Sequence, residues 1–249
     1  MRVLVVGGSG YVGELLTPLL ARLHTVRVLD LRPPSIRFDY VAGDATDPAV
    51  LAEAMAGVDA VVHCAMGTNR LDQPGAVANA FDVNVKSVHL TLVAAHDAGV
   101  PHVVHISSMS VYRDLERRRL DDESVPPDAT DLYGLTKRLG EQVCRAAVEE
   151  LGISVTALRL TWPTPDDVWP AWGYYDPPKV LRNDDGVVIQ ATAATDLARA
   201  VAAALEFRDG FQVFTISGDR SARLWSTARA QRLLGWAPTF EMTSEPDGR

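Results

Sequence analysis

The run Arg2–Val6 is five residues long, apolar after its first residue and rich in valine, and it meets Gly7-Gly8-Ser9-Gly10-Tyr11-Val12-Gly13 without a linker. A continuous β-branched run of this kind suits a strand buried on both faces of a parallel sheet. Gly7, Gly10 and Gly13 form Gly-x-x-Gly-x-x-Gly, and an apolar helical pattern over Glu14–Leu23 follows. Strand, glycine turn and helix in that order constrain the chain more than any other stretch. Glycines there make a tight turn, admit a pyrophosphate to the backbone and pack helix on strand, while the helix N-terminus offers free N–H groups. Pro18 falls inside the helical run and should kink it or remove a bond.

The same alternation continues. Strands are expected at Thr25–Leu29, Ile36–Ala42, Val58–His63, His102–Ile106 and Ile153–Leu160, with helices at Pro48–Met55, Gln73–Ala98 and Asp131–Leu151. Short links between them imply an α/β fold, a doubly wound parallel sheet of the Rossmann kind. The division expected is a dinucleotide-binding domain over 1–160, then a small substrate-binding part over 161–249 interleaved with the last sheet elements.

Composition narrows the partners. A net charge of −8 disfavours nucleic acid, which needs a basic surface. The two cysteines, Cys64 and Cys144, make no disulfide framework, and a reduced, cytoplasmic setting is expected. No apolar run approaches a membrane span, and Met1–Val6 reads as a strand and not as a signal peptide.

Asp30 ends the second strand, about 20 residues past the glycine turn, where a carboxylate can bond the adenosine ribose hydroxyls and repel a 2′-phosphate. NAD is therefore expected, although Arg32 is the kind of residue that accepts that phosphate. Small residues at Cys64-Ala65-Met66-Gly67 leave room in the crevice, and hydroxyls at Ser107, Ser108 and Ser110 face it. His63 reads as a packed side chain, and no metal-ligand spacing surrounds it. A bare Asn84 within a helix reads as a surface residue. The charged stretch Arg113–Glu123 reads as a solvated loop. Tyr133 and Lys137 stand at i and i+4 and so share one helix face. An ammonium beside a phenol favours the phenolate, and a phenol tuned in this way can serve as a general acid/base.

Taken together these residues resemble the extended short-chain dehydrogenase/reductase family, the NAD-dependent epimerase/dehydratase group. The resemblance rests on Gly7–Gly13, Asp30, Gly43-Asp44-Ala45-Thr46-Asp47, Asn84-Val85, Ser107–Tyr112, Tyr133-Gly134-x-x-Lys137, Thr195–Ala198 and Leu234–Pro238. It implies that Tyr133 is the catalytic acid/base, that Lys137 bonds the nicotinamide ribose and lowers the tyrosine's pKa, and that Ser108 orients the substrate oxygen. It also implies cofactor contacts from Gly7, Gly10, Tyr11, Val12, Gly13, Asp30, Arg32, Asp44, Ala45, Ala65, Met66, Asn84, Tyr133 and Lys137. Two features depart from the family. Arg113 stands where a glycine is frequent, and 112 residues follow Lys137, fewer than nucleotide-sugar members usually carry. The compact length is similar to uronate dehydrogenases, whose substrate loop Trp162–Arg182 does not reproduce.

The expected substrate is a small, polar, sugar-like molecule, with Ser110, Trp162, Tyr174 and Arg182 as candidate contacts. Lys179 and Arg182 are candidates for a carboxylate, and Gly218–Arg220 with Trp225 for the far wall. The expected activity is hydride transfer between NAD and a secondary alcohol or hemiacetal. The alternatives are an epimerase or dehydratase that retains its cofactor and a non-catalytic NAD(P)-binding regulator. A homodimer through the helices Gln73–Ala98 and Asp131–Leu151 is expected by resemblance.

Overall fold

The structure is a computed structural model and describes residues 1–68 and 70–239; residues 240–249 of the expected substrate-binding part lie outside the described residues. Seven parallel strands make the central sheet: β1 (Arg2–Val6), β2 (Thr25–Asp30), β3 (Asp39–Ala42), β4 (Ala60–His63), β5 (His102–Ser108), β6 (Ser154–Leu160) and β11 (Phe211–Ile216). Their order is β11-β6-β5-β4-β1-β2-β3. The order reverses between β1 and β4, so the carboxyl ends of those strands part and open a crevice, the usual ligand position in such sheets.

Alternation along each strand sends side chains to both faces. Val3 and Val5 of β1 join one core with α1 (Tyr11–Leu20) and α6 (Ala194–Glu206). Leu4 and Val6 join the other with α2 (Pro48–Ala54), α4 (Ser87–Asp97) and α5 (Leu132–Leu151). Cutting a fully buried Leu16 or Leu92 to alanine in such a core costs about 2–5 kcal/mol.

Several expected boundaries move. The first helix starts at Tyr11, directly on the glycine turn, and ends at Leu20, two residues after Pro18. The third strand begins at Asp39 and not at Ile36. The helix expected over Gln73–Ala98 is three pieces: α3 (Ala76–Phe81), a π-helical turn at Asp82–Lys86, and α4. Arg113–Glu123 is not merely solvated. Leu120 is buried, its N–H donates to the Leu224 carbonyl, and the Glu123 carboxylate accepts from the backbone N–H of Thr215 in β11.

After β6 the chain makes β7 (Pro163–Thr164), β8 (Leu181–Arg182), β9 (Val188–Ile189) and β10 (Thr192–Ala193); β10 pairs with β7 in parallel, and β8 with β9 as an antiparallel hairpin. Asp166 accepts from the Thr195 N–H at 2.9 Å, which ties this excursion to the start of α6. The short helix α7 (Ala228–Leu234) follows β11 and ends on Gly235 in a left-handed conformation. Among the described residues no helix is long and apolar enough to cross a membrane.

Candidate active site

Gly7 has φ +83°, and a Cβ there would stand 2.4 Å from the backbone of Ala65. The glycine turn and the exit of β4 therefore touch backbone to backbone. Gly13 is equally required, since its Cβ would fall 2.4 Å from Gly8. Gly10 meets only the Gly7 carbonyl, at 3.3 Å, and leaves the approach to the helix N-terminus open. This is a cradle a pyrophosphate fits. Tyr11 and Val12 form the first turn of α1 directly behind it.

Asp30 lies beside the turn. One of its oxygens accepts from the Ser9 N–H at 2.9 Å and the other from the Arg32 N–H at 3.2 Å. The Arg32 guanidinium reaches back to the Ser9 carbonyl. Asp44 and Ala45 follow β3 next to Asp30, whose carbonyl accepts from Gly43. On the β4 side, Ala65 is half-buried and Met66 is exposed, so both border the crevice.

Asn84 is 2% exposed and not the surface residue its bare position suggests. It sits within the π-helical turn, where one extra residue re-aims a side chain. Its side-chain oxygen accepts from Gly67 N–H at 2.9 Å, and its amide donates to the Thr136 hydroxyl at 3.0 Å. It thereby ties the β4 exit to α5.

Asp131 caps α5 by accepting from Gly134 N–H at 2.9 Å. A Cβ on Gly134 would come 2.3 Å from the Ser110 carbonyl, so glycine lets the helix start press against the end of β5. That approach brings Tyr133 near enough to Ser108 for the serine hydroxyl to favour the phenolate. The Ser108 hydroxyl also accepts from Ser110 N–H at 3.1 Å. Lys137 is buried; its Nζ donates to the Ile106 carbonyl at 2.9 Å and lies 5.9 Å from the Tyr133 ring centre. Ser108, Tyr133 and Lys137 thus converge at the carboxyl end of β5. Ser107 points away and donates to Glu141 at 2.6 Å.

The electrostatics differ from the simple expectation in one respect. Burial pushes the Tyr133 phenol above its ordinary value, the Ser108 bond pulls it back, and the Asp131 carboxylate adds to the rise. Burial pushes Lys137 down to about 8. In the free protein desolvation therefore sets the direction of the shift at both groups.

The Trp169 and Trp172 indoles donate to the carbonyls of Ala191 and Ile189, at 2.8 and 2.7 Å, and hold the excursion in place. Trp162 stacks on Trp172 with ring centres 6.4 Å apart and lies 5.1 Å from both the Tyr11 and Tyr174 rings, which links the excursion to the first turn of α1. Tyr174 is exposed. Arg182 stands on the β8–β9 hairpin, exposed and donating to the Gly186 carbonyl, and Lys179 lies over the Tyr175 ring. Neither cation is brought to Ser108 by a contact. Trp225 is buried in a small apolar cluster with Met109 and Leu224. His63 is packed as expected, with Nε2 2.9 Å from the Ser87 hydroxyl. Among the described residues no cluster of His, Cys, Asp or Glu is placed to hold a metal ion.

Two buried charges were not anticipated as site residues. Arg159, in β6, makes a bidentate ion pair with Glu141 of α5. Both signals were present in the sequence: Glu141 is i+4 from Lys137, and Arg159 interrupts an apolar strand, where a charge needs a partner.

Comparison with known proteins agrees with this geometry. The model of the NAD dependent epimerase/dehydratase family matches residues 3–163. A 3 beta-hydroxysteroid dehydrogenase/Delta 5-->4-isomerase of Mycobacterium tuberculosis is 35% identical over 182 residues, 68% of this chain and 47% of that protein. A dTDP-glucose 4,6-dehydratase of Mycolicibacterium smegmatis is 33% identical over 177 residues, 63% of this chain and 51% of that protein. The chain spans about half the length of these curated relatives. Among solved structures, a UDP-glucose 4-epimerase from Brucella ovis in complex with NAD superposes with a TM-score of 0.80 at 22% identity, covering 97% of this chain and 94% of that one. A uronate dehydrogenase from Agrobacterium tumefaciens gives 0.76 at 22% identity, covering 96% and 84%. These likenesses establish a shared fold. With the glycine turn, the crevice and the family match over residues 3–163 in agreement, the chain belongs to the NAD-dependent epimerase/dehydratase family.

Proposed function

We propose that this protein is an NAD-dependent oxidoreductase acting on a secondary alcohol or hemiacetal of a sugar or sugar acid, with Tyr133 as the acid/base. The observation that carries the reading is the convergence of Ser108, Tyr133 and Lys137 at the carboxyl end of β5, on the side of the sheet where the glycine turn opens. The residues around that turn fit NAD: an open Gly10, an Asp30 carboxylate at the ribose position, and a buried Ser9 hydroxyl with no partner among the described residues. When bound, NAD supplies the nicotinamide carbon that accepts or returns a hydride.

The chain's own residues handle the proton and the oxygen. In the oxidative direction the Tyr133 oxygen takes the proton of the substrate hydroxyl. The Ser108 hydroxyl donates to that same oxygen as it becomes a carbonyl. Lys137, anchored on the Ile106 carbonyl, holds a positive charge near the phenol and favours its ionised form. Tyr11 and Tyr174 are exposed beside Trp162 and offer ring surface on which a sugar can stack. We assign residues 1–160 to cofactor binding and 161–249 to the substrate, and expect a cytoplasmic homodimer joined through the segment Ala76–Asp97 and through α5.

A second reading, an epimerase or dehydratase that keeps its cofactor, is favoured by the packing of Trp162 on Tyr11, the residue that follows the nucleotide turn. One experiment separates the two. Freshly purified, acid-denatured protein is assayed for nicotinamide, and added NAD is then offered with a panel of uronic acids and aldoses. A dehydrogenase arrives empty and accumulates NADH with at least one of them. Near-stoichiometric retained NAD with no net NADH establishes the second reading, and neither NAD binding nor turnover would refute both.

A further inference from the structure

Lys137 is buried and interacts electrostatically with groups on β4, on the residue that follows that strand, on β5 and on α5. His63 comes from β4, Cys64 from its exit, His105 from β5, and Tyr133, Glu141 and Cys144 from α5 itself. Most of these carry no charge near neutral pH. Burial holds both histidines far below their ordinary value, and it pushes the Cys64 thiol up to about 12 and raises the Cys144 thiol as well. Tyr133 is likewise raised by burial. The Glu141 carboxylate lies one helical turn beyond Lys137 on the same face and is held in an ion pair with Arg159.

That carboxylate is unusually well fixed. Arg159 donates to it through Nε at 2.9 Å and Nη2 at 2.7 Å, and the Ser107 hydroxyl donates at 2.6 Å. The other guanidinium nitrogen of Arg159 bonds the Tyr112 hydroxyl, which in turn donates to the Val125 carbonyl. Glu141 and Arg159 are each almost wholly buried. A buried ion pair of this kind is weak as a stabiliser, because desolvation consumes most of the attraction. Its location suggests another use. It joins α5 to the residue next to Ser108 and places a fixed negative charge on the face that carries Lys137.

We propose that Glu141 is a positioning residue for Lys137: its carboxylate, locked by Arg159 and Ser107, is the charge that keeps the buried lysine protonated at working pH. The proposal rests on the catalytic reading of Tyr133 and Lys137 only for its consequence, since the protonation of Lys137 can be measured without any substrate. A lysine that lost its proton would no longer favour the phenolate of Tyr133, and the alkaline limb of activity would move toward neutrality.

The chain has three lysines, Lys86, Lys137 and Lys179, so lysine labelled with 13C at Cε gives three resolvable resonances in the full-length protein. Lys86 pairs with Asp82 on the surface and Lys179 lies over Tyr175, so these two serve as internal references. In Glu141→Gln the titration midpoint of Lys137 should fall by about one pH unit, while the other two stay in place. The amide keeps an acceptor for Ser107 and Arg159. If the stranded guanidinium prevents folding, Glu141→Gln combined with Arg159→Met removes it, and the midpoint should still fall. An unchanged or higher Lys137 midpoint in a folded variant overturns the proposal. Loss of turnover with an unmoved midpoint would leave the catalytic reading standing and reject this one.

Discussion

Asp30 has both carboxylate oxygens engaged, one on the Ser9 N–H of the glycine turn and one on the Arg32 N–H. It therefore shapes the turn in addition to the ribose contact proposed for it. Arg32, held against the Ser9 carbonyl, is the group that would receive a 2′-phosphate if the carboxylate were gone. Asp30→Ala should lower the preference for NAD over NADP by about tenfold or more, the value of a hydrogen bond to a charged group. Titration of both nucleotides measures it, and an unchanged ratio of dissociation constants would remove Asp30 from the ribose site. Tyr133 and Lys137 show a different local balance. Their spacing places them together, yet each is shifted toward its neutral form by the removal of water. A spacing rule registers the neighbour and not the desolvation.

Among the elements, those defined by local chemistry were legible in the sequence. A valine-rich strand, three glycines and a helix fix the first βα unit whatever the rest of the chain does, and Asp131 before Leu132 marks the start of α5 by its cap. The elements whose bounds differ from the sequence pattern depend on distant partners. Apolar periodicity over 73–98 continues through the π-helical turn, because one inserted residue barely perturbs the stripe; what stabilises the turn is Asn84 bonding Gly67 and Thr136. The start of β3 is set by pairing with β2, where Asp39 aligns with Arg27 and forms an ion pair with it at 2.8 Å. In the segment Trp162–Arg182 the sequence shows aromatics without showing which are spent. Trp169 and Trp172 turn their N–H groups to the backbone, Trp162 is packed between Trp172 and Tyr11, and Tyr174 is left exposed.

For the molecule as a whole, acid should be a weakness. His63 and His105 lie 5.5 Å apart under the carboxyl edge of the sheet, and neither ring nitrogen of His105 has a partner among the described residues. Burial lowers His63 to about 3 and His105 well below its ordinary value. In the unfolded chain both titrate near pH ~6.5. Below that pH the unfolded chain binds protons that the fold refuses, so stability falls as pH drops, by about 1.4 kcal/mol per pH unit for each histidine, until His63 titrates near 3. Urea midpoints should therefore be lower at about pH 5 than at about pH 7.5, and His105→Leu should flatten the difference. Equal midpoints in the wild-type protein would show that the histidines are not buried neutral. The central claim is that Tyr133 moves the proton, and the direct test compares wild-type and Tyr133→Phe protein in turnover and in NAD binding. Loss of the phenol should cut turnover about 10²–10⁴-fold and leave the NAD dissociation constant within about twofold. A Tyr133→Phe protein that turns over at the wild-type rate would contradict the mechanism outright.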